Sequence, residues 1–205
     1  MFNGYPYLMA HYTKSDIAEL KKDLSFKETL CGFPLQFKTT WGLFSPRNID
    51  DGTVMLLKYM DIEPTDNCLD LGCGYGALGI TMAKQAPQGQ TLMVDKDFVA
   101  VDYANKNCQL NGVSNATARL SNGFSTVTEN NFNVICSNIP AKVGNELLYI
   151  FLQDAWDRLE PGGTFYVVTI TGLRDFMKKA FKEIFGNYKK HKQGPAYTVA
   201  SGTKE

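Results

Sequence analysis

The sequence lacks the features that would place it in a membrane, send it out of the cell or attract a polyanion through overall charge. No apolar run approaches the ~20 residues that cross a bilayer, and residues 1–6 show neither the basic start nor the apolar core of a signal peptide. The 21 Lys and Arg are balanced by 21 Asp and Glu, so no general basic field exists. We expect a soluble cytoplasmic protein without membrane contacts, and any nucleic-acid partner would have to be held by local basic patches.

Cysteine and histidine are sparse and follow no recognised pattern. The five cysteines are odd in number and include no C-x-x-C pair, which argues against a disulfide framework and a zinc site. Neither of the two histidines, His11 and His191, lies in a motif, so a catalytic triad or histidine acid–base chemistry is unsupported. The chain has 205 residues, 44% of them hydrophobic, which is enough for one well-buried core. We expect a single catalytic domain and no bound metal.

Residues 67–80 contain the unit around which the rest of the chain is organised. A short apolar strand at 68–71 is followed by three alternating glycines, Gly72, Gly74 and Gly76, and then by a helix over 77–85. The first turn of a helix presents free backbone N–H groups, and glycines let a ligand approach the backbone closely. The pattern therefore predicts a strand, a ligand-binding loop and a helix.

Two ligands fit this unit. Residues 74–79 match the dinucleotide motif G-x-G-x-x-G, with Asp95 about 20 residues on as a ribose ligand. Asp70, however, places a negative charge just before the first glycine, where a pyrophosphate needs the positive end of the helix dipole. That charge suits S-adenosylmethionine, which carries an ammonium and a sulfonium. A carboxylate that merely caps the loop is the alternative explanation of Asp70.

Strands and helices alternate regularly after residue 67, which predicts an α/β fold with a parallel sheet covered on both faces. The predicted strands are 68–71, 91–95, 116–120, 132–136 and 164–170; the predicted helices are 77–85, 98–110, 144–159 and 175–185. A hairpin of strands 187–192 and 196–201 closes the chain. Before this repeat, a helix over 14–22 and a hairpin of strands 25–30 and 34–39 form an N-terminal cap, residues 1–48.

The run Asp70 to Gly76 resembles the D/E-x-G-x-G-x-G motif of class I S-adenosylmethionine-dependent methyltransferases. A wider pattern is similar to their small-domain family, whose relatives include ribosomal small-subunit RNA guanine-N2 methyltransferases and archaeal proteins; it comprises His11-Tyr12, the hairpin, residues 42–45, 138–141 and 161–163. The resemblance implies a doubly wound, mostly parallel seven-stranded sheet with a C-terminal antiparallel hairpin, and makes 49–205 the methyltransferase domain. It also implies S-adenosylmethionine as the cofactor.

Cofactor contacts are expected where the strands end. Gly72 and Gly74 would admit the methionyl part, Asp70 would face the positive charges, and Asp95 would accept from the ribose hydroxyls. Asn122 stands where the family usually carries an Asp near the adenine, although Asn122-Gly123 also fits a simple turn. The predicted cofactor-binding residues are Asp70, Gly72, Cys73, Gly74, Gly76, Asp95, Lys96, Asn122, Gly123 and Asn138.

Asn138-Ile139-Pro140-Ala141 resembles the N-P-P-Y/F motif of methyltransferases that modify exocyclic base amines or side-chain amides. Such an amine attacks only when acceptors hold both its hydrogens and let it pyramidalise. We expect Asn138, the Ile139 carbonyl and Pro140 to be catalytic. Ile139 replaces the family's first Pro and Ala141 replaces the aromatic that would stack on a flipped base. A helix-entry turn capped by Asn138 is the alternative.

The aromatic and basic loop 41–48 and the residues after Pro140 are candidates for the substrate side. We expect Phe44, Arg47, Ala141 and Lys142 to contact substrate, with Phe44 or Trp41 supplying the missing aromatic; a structural elbow with both rings in the core is equally open. Basic residues between 174 and 192 form a possible RNA-binding patch or a solvated face.

Taken together, these features predict an N-methyltransferase that modifies a guanine or adenine amine in RNA. Three other activities stay open: methylation of a protein or small-molecule amine, cofactor binding without catalysis, and a nicotinamide-dependent oxidoreductase.

Overall fold

A computed structural model describes residues 12–205 of the chain, so His11 lies outside the described residues. The helices are α1 Lys14–Leu20, α2 Asp51–Leu57, α3 Ala77–Gln85, α4 Phe98–Leu110, α5 Asn145–Arg158 and α6 Arg174–Ile184. The strands are β1 Leu24–Leu30, β2 Phe33–Thr39, β3 Cys68–Leu71, β4 Thr91–Asp95, β5 Ala116–Leu120, β6 Phe132–Asn138, β7 Leu159–Ile170, β8 Lys189–Gln193 and β9 Tyr197–Thr203.

Seven of the strands form one sheet in the order β5-β4-β3-β6-β7-β9-β8. The first five are parallel to one another, whereas β9 runs antiparallel to β7 and pairs with β8 as an antiparallel hairpin. The prediction of a doubly wound, mostly parallel seven-stranded sheet closed by a C-terminal hairpin is confirmed.

Alternating side chains divide the core between the two faces of this sheet. Cys68 belongs to a cluster that contains α2, α3, α4 and the N-terminal hairpin, while its neighbour Leu69 belongs to a cluster that contains α5 and α6. In β7, Tyr166 belongs to the first of these clusters and Phe165 to the second. This alternation is what a sheet with helices on both faces requires.

The N-terminal hairpin β1–β2 packs onto the glycine loop through α4. Asn107, fully buried in α4, accepts a hydrogen bond from the Lys38 N–H at 2.7 Å and donates to the Lys38 carbonyl at 2.9 Å. Its amide also donates to the Tyr75 carbonyl at 2.9 Å. Phe37 is fully buried with its ring centroid 5.7 Å from that of Tyr75. One amide thus joins the predicted cap to the loop expected to bind the ligand.

The strands differ from the prediction mainly where tertiary contacts extend them. β6 runs two residues further than expected because the Ser137 hydroxyl donates to the Leu71 carbonyl at 2.7 Å and the strand stays paired with β7 up to Asn138. β7 begins at Leu159 instead of 164, where α5 ends. No helix within residues 12–205 combines the length and apolarity needed to span a bilayer.

Candidate active site

Three predicted site residues reach the same edge of the sheet through strand register. Asp70 of β3 pairs with Met93 on one side and Cys136 on the other. Two residues further along each chain lie Gly72, Asp95 and Asn138, at the carboxyl ends of three adjacent parallel strands. This edge is where open α/β sheets bind ligands.

The glycine loop leaves open space at this edge. Gly72 and Gly74 have φ values of 76° and 53°, and a Cβ built at either position meets no atom of the described chain within 4 Å. The Gly72 N–H donates to the Val94 carbonyl at 2.8 Å, which holds the loop against β4. The geometry offers a cradle with bare backbone that a ligand's methionyl part can approach closely.

Gly79 has a different task, because it lets α3 pack directly on the sheet. A Cβ at this position would lie 2.3 Å from Cγ of Met93, a distance that no real contact reaches. The glycine that completes the dinucleotide-like spacing is therefore explained by helix–strand packing.

Asp70 lies beneath the loop. Its carboxylate has no accessible surface and accepts a hydrogen bond from the Gly79 N–H, in the first turn of α3, at 2.8 Å. Burial raises the pKa of Asp70 to about 7, and the negative charge of Asp95 adds to this rise. Asp70 therefore does cap the start of α3. Because it is buried, it would not touch a ligand above the loop, and its ionised form would attract a positively charged ligand from a distance. Its role in cofactor binding stays a prediction.

Asp95 is half-buried, with its carboxylate oriented by two backbone donors. The N–H of Gly74 and that of Asp97 each donate to it at 2.9 Å, one to each oxygen. The carboxylate therefore stands beside the cradle at a defined angle, as a ribose ligand would need. Lys96, which follows it, is exposed.

Cys73 and Asn122 complete the predicted cofactor set. Cys73 is buried, which raises the pKa of its thiol well above the ordinary value, and its N–H donates to the Val94 carbonyl at 3.0 Å. Asn122 is exposed beside Gly123, whose φ is 58°, in a turn closed by a hydrogen bond of 2.7 Å from the Ser121 hydroxyl to the Gly123 carbonyl. The turn is therefore real, and an exposed Asn122 side chain is compatible with the adenine role.

Asn138 is held from one side only. Its amide nitrogen donates to an Asp50 carboxylate oxygen at 2.9 Å and to the Thr53 hydroxyl at 3.0 Å. A carboxylate cannot donate, so the NH₂ group must face Asp50 and the amide oxygen must face the other way. The alternative in which Asn138 caps a helix is wrong, because the N-cap of α5 is Gly144.

A family model described as the methyltransferase small domain matches residues 34–201. The chain belongs to this family. The family predicted from Asp70 to Gly76 and from Asn138 to Ala141 is confirmed. The matched range begins inside the N-terminal hairpin and covers the strands of the large sheet except for the last two residues of β9.

Proteins similar to this family member include ribosomal RNA methyltransferases. The ribosomal RNA small subunit methyltransferase C of Hamiltonella defensa is 30% identical over 82% of this chain and 50% of its own length. The uncharacterized protein YbxB of Bacillus subtilis is 28% identical over 77% of this chain and 80% of its own. The chain therefore spans about half the length of the first of these relatives.

Among solved structures, one similar protein is the 16S rRNA N2 G1207 methyltransferase RsmC of T. thermophilus, in complex with AdoMet and guanosine. It superposes with a TM-score of 0.81 at 27% identity, over 89% of this chain and 51% of that one. A methyltransferase from Pyrococcus furiosus superposes with a TM-score of 0.65 at 25% identity, over 80% of this chain and 90% of that one.

The departure from the family's N-P-P-Y/F motif at Ile139 has a structural reason. The Ile139 N–H donates to the Val168 carbonyl of β7 at 3.0 Å, a bond that proline cannot form. The isoleucine side chain is 3% exposed and packs in the core beneath α5. Pro140, Ala141 and Lys142 follow on the surface.

Loop 41–48 presents its aromatic rings to solvent. Trp41 is 62% and Phe44 69% exposed, so the elbow with both rings in the core is wrong, and Leu43 is the residue that is buried instead. Arg47 is also exposed. The loop is tied to the glycine loop because the Tyr75 hydroxyl donates to the carbonyls of Ser45 at 3.2 Å and Asn48 at 3.3 Å.

The basic residues between 174 and 192 lie on α6 and on the edge strand β8. Part of their charge is compensated locally: Arg174 contacts Asp175 at 2.9 Å and Lys179 contacts Glu183 at 3.7 Å. Lysines on an edge strand also hinder unwanted strand pairing. Their role in holding RNA stays a prediction.

Three residues of the site escaped the sequence analysis: Thr53, Tyr75 and Tyr197. Each contacts residues distant in the chain, and their local sequence shows only a helix, a glycine loop and a strand. The sequence also predicts a helix over 49–60 that begins at Asp50 or Asp51, and Asp50 is the N-cap of α2. The contact of Asp50 with Asn138 was not predicted. Within residues 12–205, no cluster of three or more His, Cys, Asp or Glu side chains is arranged to hold a metal, and all five cysteines are free thiols.

Proposed function

We propose that this protein is an S-adenosylmethionine-dependent N-methyltransferase that methylates an exocyclic base amine, guanine N2 or adenine N6, in ribosomal or other RNA. The observation that carries this proposal is the orientation of Asn138. Both hydrogens of its amide are directed to Asp50 and Thr53, so its oxygen is the atom available to an incoming donor beside the glycine cradle.

The predicted cofactor suits the charges and space of the cradle. Bare backbone at Gly72 and Gly74 admits a close ligand, and the carboxylates of Asp70 and Asp95 favour a ligand with positive charge. When bound, S-adenosylmethionine supplies an electrophilic methyl group on its sulfonium. A dinucleotide fits less well, because Asp70 already occupies the Gly79 N–H, one of the backbone donors at the helix N-terminus that a pyrophosphate would need.

The chain's own part in the reaction is to prepare the amine. The Asn138 oxygen and the Ile139 carbonyl each accept one hydrogen of the amine, which draws its lone pair out of conjugation and toward the methyl group. The contacts strengthen as positive charge develops on nitrogen, so they stabilise the transition state more than the ground state. With S-adenosylmethionine held by the cradle, the amine nitrogen would take the methyl group, S-adenosylhomocysteine would be the other product, and the nitrogen would release one proton to water.

Exposed aromatic and basic residues support an RNA substrate. Phe44 and Trp41 offer rings for stacking beside a site where Ala141 lacks one, and Arg47 and Lys142 offer charges for phosphates. The proposal assigns residues 1–48 to an N-terminal cap with a β-hairpin, residues 49–205 to the methyltransferase domain, and the activity to the cytoplasm. The relatives named for ribosomal RNA methylation, and the guanosine bound to one of them, favour guanine in ribosomal RNA.

The test is to incubate the protein with labelled S-adenosylmethionine and ribosomal RNA that lacks its own modifications, then to identify the methylated nucleoside. We expect N2-methylguanosine, or N6-methyladenosine. Label incorporated only into protein, or only into small amines, would overturn the RNA assignment. Calorimetry that detected NAD binding and no binding of S-adenosylhomocysteine would overturn the cofactor.

A further inference from the structure

Asp50 connects three parts of the fold that are distant in sequence. One of its carboxylate oxygens accepts from the N–H groups of Gly52 at 2.9 Å and Thr53 at 3.3 Å, which caps α2. The same oxygen accepts from Asn138 at the end of β6, and the other accepts from the Tyr197 hydroxyl at the start of β9, at 3.0 Å.

A helix cap alone does not explain this arrangement. Capping needs one acceptor oxygen, and a serine or asparagine serves about as well as an aspartate. Here the second oxygen is used by Tyr197, 147 positions away, and the capping oxygen also receives Asn138, 88 positions away. The four donors demand the acceptor capacity of a carboxylate.

The surroundings leave the carboxylate little freedom. A Cβ at Gly52 would lie 2.8 Å from an Asp50 oxygen and 3.2 Å from the Tyr197 ring, so the glycine is required for the aspartate and tyrosine to meet. Thr53, 6% exposed, adds a hydroxyl 3.0 Å from the Asn138 nitrogen.

We propose that Asp50, with Thr53 and Tyr197, is a positioning device that fixes the orientation of the Asn138 amide for methyl transfer. If the amide turned over, its oxygen would face the Asp50 carboxylate, and the two acceptors would repel each other. The device therefore keeps the Asn138 oxygen directed toward the amine. This inference rests on the proposed function, and Asp50 acts through Asn138 without touching the substrate.

The first test separates capping from positioning. Asp50→Ser retains a side chain that caps a helix but is too short to reach Asn138 and Tyr197, whereas Asp50→Asn retains an oxygen for both the cap and Asn138. We expect Asp50→Ser to lower kcat about 10- to 10²-fold, as misplacement of a reacting group does, with the dissociation constant for S-adenosylhomocysteine unchanged. Asp50→Asn should recover only part of the loss, because its single oxygen can still accept from Asn138, but its NH₂ group replaces the oxygen that serves Tyr197 and could also pair with a turned-over Asn138. Equal activity of Asp50→Ser and wild type would overturn the proposal.

The second test asks whether Asp50 acts through Asn138. In a background of Asn138→Ala, Asp50→Ser should cause no further loss of turnover, because residues that act as one unit are not additive. Additive losses would show an independent role and refute the positioning device. Thr53→Val should lower kcat. The control Thr81→Val removes a buried hydroxyl of α3 that does not contact Asn138, and it should leave kcat unchanged.

A third readout needs no turnover, so it distinguishes failure of this inference from failure of the proposed function. In NMR spectra of labelled wild-type protein, the Asn138 side-chain NH₂ signals, assigned by their loss in Asn138→Ala, should exchange slowly with water. We expect at least tenfold faster exchange in Asp50→Ser. Unchanged exchange would contradict the inference whatever the substrate is, and wild type inactive on RNA with the expected exchange would refute only the proposed function.

Discussion

Asp70 makes a specific prediction about stability and pH, because its charged form is disfavoured inside the protein. Burial and the nearby Asp95 raise its pKa from an ordinary value near 3.8 to about 7. The unfolded chain releases this proton near pH 4, whereas the folded chain keeps it until about pH 7. The contribution of Asp70 to stability is therefore full below pH 4, declines as the pH rises toward 7, and stays low above that.

The magnitude follows from the difference between the two pKa values. One pKa unit corresponds to about 1.36 kcal/mol, so ionising Asp70 in the folded protein costs on the order of 4 kcal/mol. That is a large part of the roughly 5–15 kcal/mol that typically holds a domain together.

The substitution Asp70→Asn removes the titration while keeping an oxygen for the Gly79 N–H. We expect the free energy of unfolding of the variant, relative to wild type, to rise by about 2–3 kcal/mol between pH 5 and pH 8, since part of the total is already lost below pH 5. Urea denaturation at a series of pH values measures it. Parallel pH profiles for the two proteins would show that the Asp70 pKa is not raised in the folded state, and would refute the reasoning.

Three further predictions concern the cofactor, the fold and the substrate. Asp95→Ala should weaken S-adenosylhomocysteine binding at least tenfold in calorimetry, because two charge-assisted hydrogen bonds at about 1.5–3 kcal/mol each are lost; unchanged affinity in a folded variant would show that Asp95 is not the ribose ligand. Gly79→Ala should lower stability by about 1–3 kcal/mol in urea, since its Cβ overlaps Met93; a neutral effect would contradict the packing. Phe44→Ala should raise the KM for RNA about 5- to 100-fold, as loss of one stacked base does, while the melting temperature stays constant because the ring is 69% exposed; an unchanged KM would exclude Phe44 as the ring that Ala141 lacks.

Local patterns were sufficient to predict the elements near the glycine loop. The bounds of α3, β4, α4 and β5 agree with those expected. Each of these elements has a regular apolar period and lies next to a glycine or an Asn-Gly pair that marks where it begins or ends. The bounds of β6 did not agree, since its last two residues belong to the strand only through their pairing with β7. Pairing partners so distant in the chain leave no local signal.

The sequence predicted which residues form the candidate site better than it predicted how those residues are arranged. The motif around Asn138 identified the amide, yet its fixed orientation depends on Asp50, Thr53 and Tyr197, which lie up to 147 positions apart. The burial of Asp70 was equally invisible, because a carboxylate at the end of a strand can point above the loop or beneath it. The sequence of loop 41–48 likewise did not show that Leu43 would be buried and Trp41 exposed.

The central claim, that Asn138 accepts a hydrogen bond from the target amine in the transition state, is tested most directly by the kinetics of Asn138→Ala on unmodified ribosomal RNA. Turnover and cofactor affinity are measured on the same preparation. A contact that forms mainly in the transition state predicts a loss of about 10²–10³ in kcat with little change in the affinity for S-adenosylhomocysteine. Full turnover by Asn138→Ala would contradict the account, because the amine would then be activated by other groups.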